Sequence, residues 1–306
     1  MDFTVINANL SDLTNPVDRS MESDRVEPIS EELQPTELDA DAIRNLGEKQ
    51  LQGEDSQDTI QVILVNSFGL DLAGGSGDDV LYGSENFDVL HGENGRDRLE
   101  GFGGNDALYG GKHNDTLIGG KGNDILNGGV GYDRLMEAGN VNFTLTNTKL
   151  EGQGMDAVSR IESAYLTGGA GNNKIDASGA TNIKTKLAGG AGNDILMGSQ
   201  MSDSIYGGAG ADMLHGEMGR DTLVGGGGAD IFALESAMDA DRVIDFQDGI
   251  DRFGLTHSLS FGDLDISNNS AGTAALITDL SNNGEVLAVV NQVDAADLTA
   301  VDFTMI

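Results

Sequence analysis

Cysteine is absent from this 306-residue chain, so disulfide staples and thiolate metal ligands are excluded and any bound metal must be held by oxygen. Aromatic residues make up 5% and the hydrophobic set only 38%, too little for an ordinary two-domain core at this length. Only 17 residues are basic, against 51 acidic ones, giving a formal charge of −34. Such a polyanion opposes its own compaction and repels nucleic acid and anionic membrane surfaces, so neither is an expected partner. No apolar run approaches the ~18 residues that cross a bilayer, and the start, MDFTVINANL, lacks the basic and apolar regions of a cleaved export signal. That leaves a cytoplasmic protein or one exported by a signal elsewhere in the chain.

Glycine, by contrast, occurs 45 times. It loses more backbone entropy on folding than any other residue, so a chain this rich in it needs a compensating term, and metal binding can supply one. The glycines are in phase. Nine-residue units of the form G-G-x-G-x-D-x-U-x, with U a large aliphatic residue, begin at Gly74, Gly83, Gly92, Gly101, Gly110, Gly119 and Gly128. A second array begins at Gly189, Gly198, Gly207, Gly216 and Gly225. GGKGNDILN and GGVGYDRLM satisfy every defined position, and an imperfect unit, GGAGNNKID, begins at Gly168. Loop composition alone predicts no such phase; repetition of this period predicts an all-β fold, a parallel β-roll (β-solenoid) that binds Ca²⁺.

Each unit divides into a six-residue turn and a three-residue strand, and two units make one coil. Residues 18 apart then stack directly, on neighbouring strands ~4.8 Å apart. The sixth-position aspartates fall into vertical rows: Asp79, Asp97, Asp115 and Asp133 on one side of the first array, Asp88, Asp106 and Asp124 on the other. In the second array the rows are Asp194, Asp212 and Asp230, and Asp203 with Asp221. Carboxylates at that spacing repel by roughly 3.5 kcal/mol at an effective dielectric of ~20. A Ca²⁺ ion, with oxygen ligands at ~2.3–2.6 Å, can reach oxygens above and below it, and backbone carbonyls must complete its coordination. One ion for each vertical pair gives about eight. Glycines allow the turn to close around the ion. At position four, Asn86, His113 and Met201 replace glycine, and the Met201 turn suits left-handed geometry least. Position eight carries Leu81, Leu90, Leu99, Leu108, Leu117, Leu126 and Leu135, then Leu196, Ile205, Leu214, Leu223 and Phe232, an aliphatic ladder that should fill the interior.

Five segments follow. Residues 1–58 are acidic, hold all three prolines and read as largely disordered, with one short helical candidate at 42–51. Residues 59–136 form the first array, opened by the strand-like TIQVILV; residues 137–188 are an irregular β bridge; residues 189–233 form the second array. Residues 234–306 read as a C-terminal β cap, which a solenoid needs to cover its open end. The bridge could keep both arrays on one axis or separate two rolls.

These arrays resemble the repeats-in-toxin (RTX) family of haemolysin-type calcium-binding proteins. The resemblance implies that the sixth-position aspartates are ligands, together with backbone carbonyls of the turn glycines Gly74, Gly83, Gly92, Gly101, Gly110, Gly119, Gly128, Gly189, Gly198, Gly207, Gly216 and Gly225. Asn173 holds the aspartate slot in the imperfect unit. DRVIDFQDGIDRFGL and the ending VDFTMI are similar to the C-terminal regions of type I-secreted, serralysin-like proteins. The resemblance therefore implies an extracellular protein, secreted or surface-associated, that leaves through a type I secretion apparatus without a cleaved N-terminal signal and folds on meeting calcium outside.

No catalytic motif emerges. Only ~70 residues precede the first array, fewer than a typical catalytic domain. There is no H-E-x-x-H or G-x-S-x-G; His91 and His215 lie at repeat junctions beside Gly92-Glu93 and Gly216-Glu217, while His113 and His257 have no partner constellation. Residues 263–274 lack the Gly and Glu of an EF-hand loop and read as a hairpin or surface loop. The expected role is a non-catalytic structural or surface protein; an enzyme acting on extracellular polysaccharide and a calcium-stiffened adhesin that binds a cell surface are the alternatives.

Overall fold

Leu81 pairs with Leu99, Leu99 with Leu117 and Leu117 with Leu135, in parallel and always 18 residues on. Leu72, Leu90, Leu108 and Leu126 do the same on the opposite face. The computed structural model describes residues 2–8, 51–52, 57–64, 69–235, 239–256 and 259–306, and shows these ladders as the two walls of a parallel β-roll. Among the described residues each wall is a 14-stranded sheet, and through the two repeat arrays successive strands alternate between them. The strands are longer than the expected triplet: Val89–Asn94 and Ala107–Lys112 run from position seven into the third position of the next unit, whereas Thr116–Ile118 keeps to the triplet.

All twelve position-eight residues are buried and belong to one continuous core. Alternation along each strand explains this: in Arg98–Phe102 the burial runs half-buried, buried, half-buried, buried, exposed, so Leu99 and Gly101 face inward. Leu108 is fully buried between Leu90 and Leu126. Leu108→Ala should therefore cost about 2–5 kcal/mol of stability in calcium, measured as a shift of the denaturant midpoint.

The bridge keeps both arrays on one axis. Arg134–Ala138 pairs with Ser163–Thr167, which pairs with Lys184–Ala191 and through it with Ser204–Ala209, all in parallel. On the other wall, Met155–Ser159, Lys149–Glu151 and Phe143–Thr146 form an antiparallel meander between Ile125–Val130 and Lys174–Gly179. Phe143, Leu145, Val158, Ile161 and Leu166 continue the core through it. Inward alternation survives without the glycine turns, so the meander replaces a regular coil without breaking the column.

The C-terminal segment ends the roll. Asp241–Val243 and Arg252–Leu255 add one parallel strand to each wall. Glu285–Asn291, Ala274–Asp279 and Leu264–Asn268 then turn the first wall antiparallel, and residues 263–274 are the start and turn of that hairpin. Phe232, Phe246, Phe253 and Phe303 pack in a chain with ring centroids 4.6–6.2 Å apart. This aromatic plug closes the end of the aliphatic ladder.

At the other end, Asp58–Leu64 pairs with Val80–Ser84, as the β-rich run predicts, but it is not the first strand. Asp2–Ala8 lies beside it in parallel, and Leu51–Gln52 pairs with Asp71–Ser76. The acidic segment expected to lack structure thus contributes two strands. The open edge of a roll offers unpaired backbone groups, and any extended stretch of the same chain can satisfy them. The remainder of that segment, including residues 42–50 of the helical candidate, lies outside the described residues, as does His257.

Candidate calcium sites

The aspartate columns exist, and they are joined by hydrogen bonds that spacing alone does not reveal. The Asp79 N–H donates to Oδ1 of Asp97, Asp97 N–H to Asp115 and Asp115 N–H to Asp133, each at 2.9 Å. Opposite, Asp88 N–H reaches Asp106 at 2.8 Å and Asp106 N–H reaches Asp124 at 2.7 Å. Asp194, Asp212 and Asp230 are linked likewise at 2.8 and 2.9 Å, and Asp203 to Asp221 at 2.7 Å. One carboxylate oxygen thus ties each coil to the one before it.

The other oxygen has a different fate. Oδ2 of Asp97, Asp106, Asp115, Asp124, Asp133, Asp194, Asp212, Asp221 and Asp230 is buried and accepts no hydrogen bond among the described residues. A buried oxygen left so costs on the order of 1–3 kcal/mol, more when charged. These atoms face the first glycine of their own unit. A Cβ built on Gly110 would sit 2.5 Å from both Asp115 Oδ2 and the Gly128 carbonyl oxygen one coil on, and one on Gly207 would sit 2.5 Å from both Asp212 Oδ2 and the Gly225 carbonyl. The glycine is obligatory because anionic and carbonyl oxygens converge where its side chain would be. An all-oxygen, net-negative donor set suits a hard cation such as Ca²⁺.

The carbonyls of Gly92, Gly101, Gly110, Gly119, Gly128, Gly207, Gly216 and Gly225 each approach the first glycine of the unit one coil earlier, and that of Gly189 approaches Gly168. Gly74, Gly83 and Gly198 begin their columns and have no repeat glycine beneath them. When bound, the cation would be held by the Oδ2 atoms and these carbonyls, and would supply the positive charge that the columns lack.

Burial, above all, raises the affinity of these carboxylates for protons; the repulsion of column neighbours adds to it, against the backbone N–H that each accepts. Asp106 and Asp115 are pushed from 3.8 to about 8, and Asp97 and Asp230 to about 6. Asp221 is raised by burial and by Asp241, whose Oδ2 also converges on Gly216.

The columns extend past the repeats. Asp124 N–H donates to Asp156, Asp133 N–H to Glu162, Asp221 N–H to Asp241 and Asp230 N–H to Asp251. Sequence reading missed these four. Asp156-Ala157-Val158, Asp241-Arg242-Val243 and Asp251-Arg252-Phe253 preserve the D-x-U end of the unit without its glycines, a signal that could have found three of them. Each array also ends in a carboxylate that accepts backbone N–H groups from a turn near its end: Glu137 accepts from Gly120, in the last turn on that side of the first array, at 2.9 Å, and Asp245 from Gly225 and Gly226 at 2.9 Å each.

The turns themselves are of two kinds. Position two has positive φ at Gly75, Glu93, Phe102, Gly111, Gly120, Gly129, Gly190, Gly208, Glu217 and Gly226, between 66° and 115°. At Ser84, Gly169 and Ser199 it does not. Among the non-glycine residues at position four, His113 is left-handed at 77°, while Asn86 and Met201 are not. The concern raised by Met201 is thus met by a different turn rather than by strain.

The chain matches the RTX calcium-binding nonapeptide repeat (4 copies) family at residues 73–108, 100–135, 165–183, 186–200 and 197–232. These stretches cover both arrays and the imperfect unit at Gly168. No curated protein matches the chain. Among solved structures, it is similar to the extracellular lipase LipA from Serratia marcescens at 17% identity and a TM-score of 0.26, over 76% of this chain and 40% of the lipase. It is also similar to the AlgE6R3 subunit of the Azotobacter vinelandii mannuronan C5-epimerase at 24% identity and a TM-score of 0.31, over 46% of this chain and 77% of that one. The chain therefore spans well under half of the lipase it matches. The in-phase repeats, stacked aspartate columns and glycine cradles agree with the family match: both arrays of this chain are built of RTX calcium-binding nonapeptide repeats.

Proposed function

We propose that this is a secreted, non-catalytic protein whose roll assembles when several Ca²⁺ ions bind between its coils, and that it serves a structural role at a cell surface or in an extracellular matrix. The observation that carries the proposal is the set of buried, unpartnered Oδ2 atoms aligned along both sides of the roll. Without a cation each opposes the fold; with one, each contributes to it, so binding and folding are one equilibrium. Extracellular calcium modules work at ~10⁻⁴–10⁻³ M, a level that cytoplasm lacks, which favours assembly after export through a type I apparatus. The regular carboxylates are all engaged as column rungs, which favours a structural role over chemistry on a substrate. Among the described residues no helix is long and apolar enough to cross a membrane.

Calorimetric titration with calcium, followed in parallel by far-ultraviolet circular dichroism, tests the reading. The expected result is uptake of several ions per chain together with a gain of β-structure. Full β-structure in excess chelator at neutral pH would refute coupled assembly. Retention on cells or matrix in calcium and release by chelator is the expected behaviour for the surface role.

A further inference from the structure

Two of the twelve repeat aspartates are not built like the others. In the turn at 83–88 the Ser84 N–H donates to Asp88 Oδ2 at 2.5 Å, and the Ser84 hydroxyl lies 3.0 Å from Oδ2 and 3.2 Å from Oδ1 of the same carboxylate. The Asn86 N–H in turn donates to the Ser84 hydroxyl at 3.2 Å. The turn at 198–203 repeats the pattern: Ser199 N–H to Asp203 Oδ2 at 2.5 Å, Ser199 hydroxyl at 2.8 Å from the same oxygen, and Met201 N–H to the hydroxyl at 3.1 Å. Here the oxygen that has no partner among the described residues in nine of the other turns is satisfied from within the turn.

The third exceptional turn reaches the same end by other chemistry. Asn173 accepts the Gly169 N–H at 2.8 Å through Oδ1 and donates through Nδ2 to the Val141 carbonyl at 3.0 Å. In all three the position-two backbone lies outside the left-handed region, and its N–H donates to the residue in position six. Glycine content does not decide the matter. Phe102, Glu93 and Glu217 stay left-handed at position two in spite of their side chains, whereas Gly169 does not. What separates the classes is a hydroxyl at position two or an amide at position six, each of which completes a hydrogen-bond set inside the turn. Each closed turn is also the first repeat of its column, beneath Asp106, beneath Asp194 and beneath Asp221.

We propose that the Ser84–Asp88 and Ser199–Asp203 turns are calcium-independent rungs, in which the serine takes the carboxylate oxygen that the other turns present to the metal, so that these two columns start on a coil needing no ion. This rests on the reading that the remaining turns do bind calcium, and it departs from the expectation that Asp88 and Asp203 are ligands.

Calcium chloride titrated calorimetrically into the full chain and three variants tests it, with circular dichroism confirming the fold of each in calcium. Asp88→Asn should leave the stoichiometry unchanged while lowering stability, because the carboxylate accepts the N–H groups of both Leu70 and Ser84 and an amide can accept only one of them. Asp115→Asn, in an open turn, should lose at least one ion. Ser84→Gly combined with Asn86→Gly should open the turn and add one ion. Loss of an ion in Asp88→Asn, or no gain in the double variant, overturns the inference while the calcium reading stands, provided that Asp115→Asn loses its ion. An Asp115→Asn variant that loses none overturns the calcium reading itself, and the inference with it.

Discussion

Stripped of calcium at pH 8 the roll is expected to open, and lowering the pH to 5 without any metal should restore much of its β-structure. In the folded chain Asp106 and Asp115 protonate at about 8, Asp156 and Glu137 at about 7, and Asp97 and Asp230 at about 6, against ordinary values of 3.8 for the aspartates and 4.5 for Glu137. Burial is the main cause in each. The folded values lie above the unfolded ones, so the folded state binds more protons between them. The corresponding stability is fully present below the unfolded values and is lost as the pH rises through about 6 to 8. Each pKa unit is worth ~1.4 kcal/mol, and because neighbouring carboxylates raise one another the gains of a column do not simply add. Protons and calcium neutralise the same oxygens, so calcium affinity should also weaken on acidification. Circular dichroism of chelated protein between pH 8 and pH 5 checks this. A β-signal that stays flat, or falls, across that window would contradict the column electrostatics.

Gly110→Ala should disable the oxygen cradle of its own turn. Its Cβ would meet Asp115 Oδ2 and the Gly128 carbonyl at 2.5 Å each, and neither can withdraw: one carboxylate oxygen is tied to the Asp97 N–H, and the carbonyl is backbone. The methyl stands where oxygens converge, so the expected result is loss of at least one calcium ion and about 3 kcal/mol or more of stability in calcium. Gly227→Ala is the control. It has no heavy atom within 4 Å of its Cβ position and no positive φ, so it should change stability by no more than about 0.5 kcal/mol. Calorimetric stoichiometry and denaturant midpoints of the two variants, measured side by side, decide the matter; equal midpoints would show that the glycine does not define a cradle.

Some of this architecture was open to reading from residues alone, because a period of nine with an aspartate and an aliphatic residue at constant phase leaves few alternatives. The 18-residue stacking, the assignment of Leu81 through Phe232 to the interior and the alignment of the aspartates all follow from that phase, and the strands pair in that register. The bridge was not readable in the same way. Residues 137–188 hold one wall by parallel strands and the other by a meander, and no local pattern announces which sheet an irregular strand will join. Asp156, Glu162, Asp241 and Asp251 stayed hidden because they lack the glycine turn, although three of them retain the aspartate-x-aliphatic ending.

The division of labour within a single carboxylate was likewise invisible. Composition and spacing determined that acidic groups stack along a coil and that a hard cation would relieve them. Only the folded chain decided that Oδ1 holds the neighbouring coil by a backbone N–H, that Oδ2 of most rungs faces a glycine cradle, and that Ser84 and Ser199 close two turns from within. The physical reason is range. Phase and polarity are properties of residues nine or 18 positions apart and survive in one dimension, whereas the partner of an individual oxygen depends on a rotation of the backbone at position two, which is settled by the hydrogen bonds available once the coils are stacked.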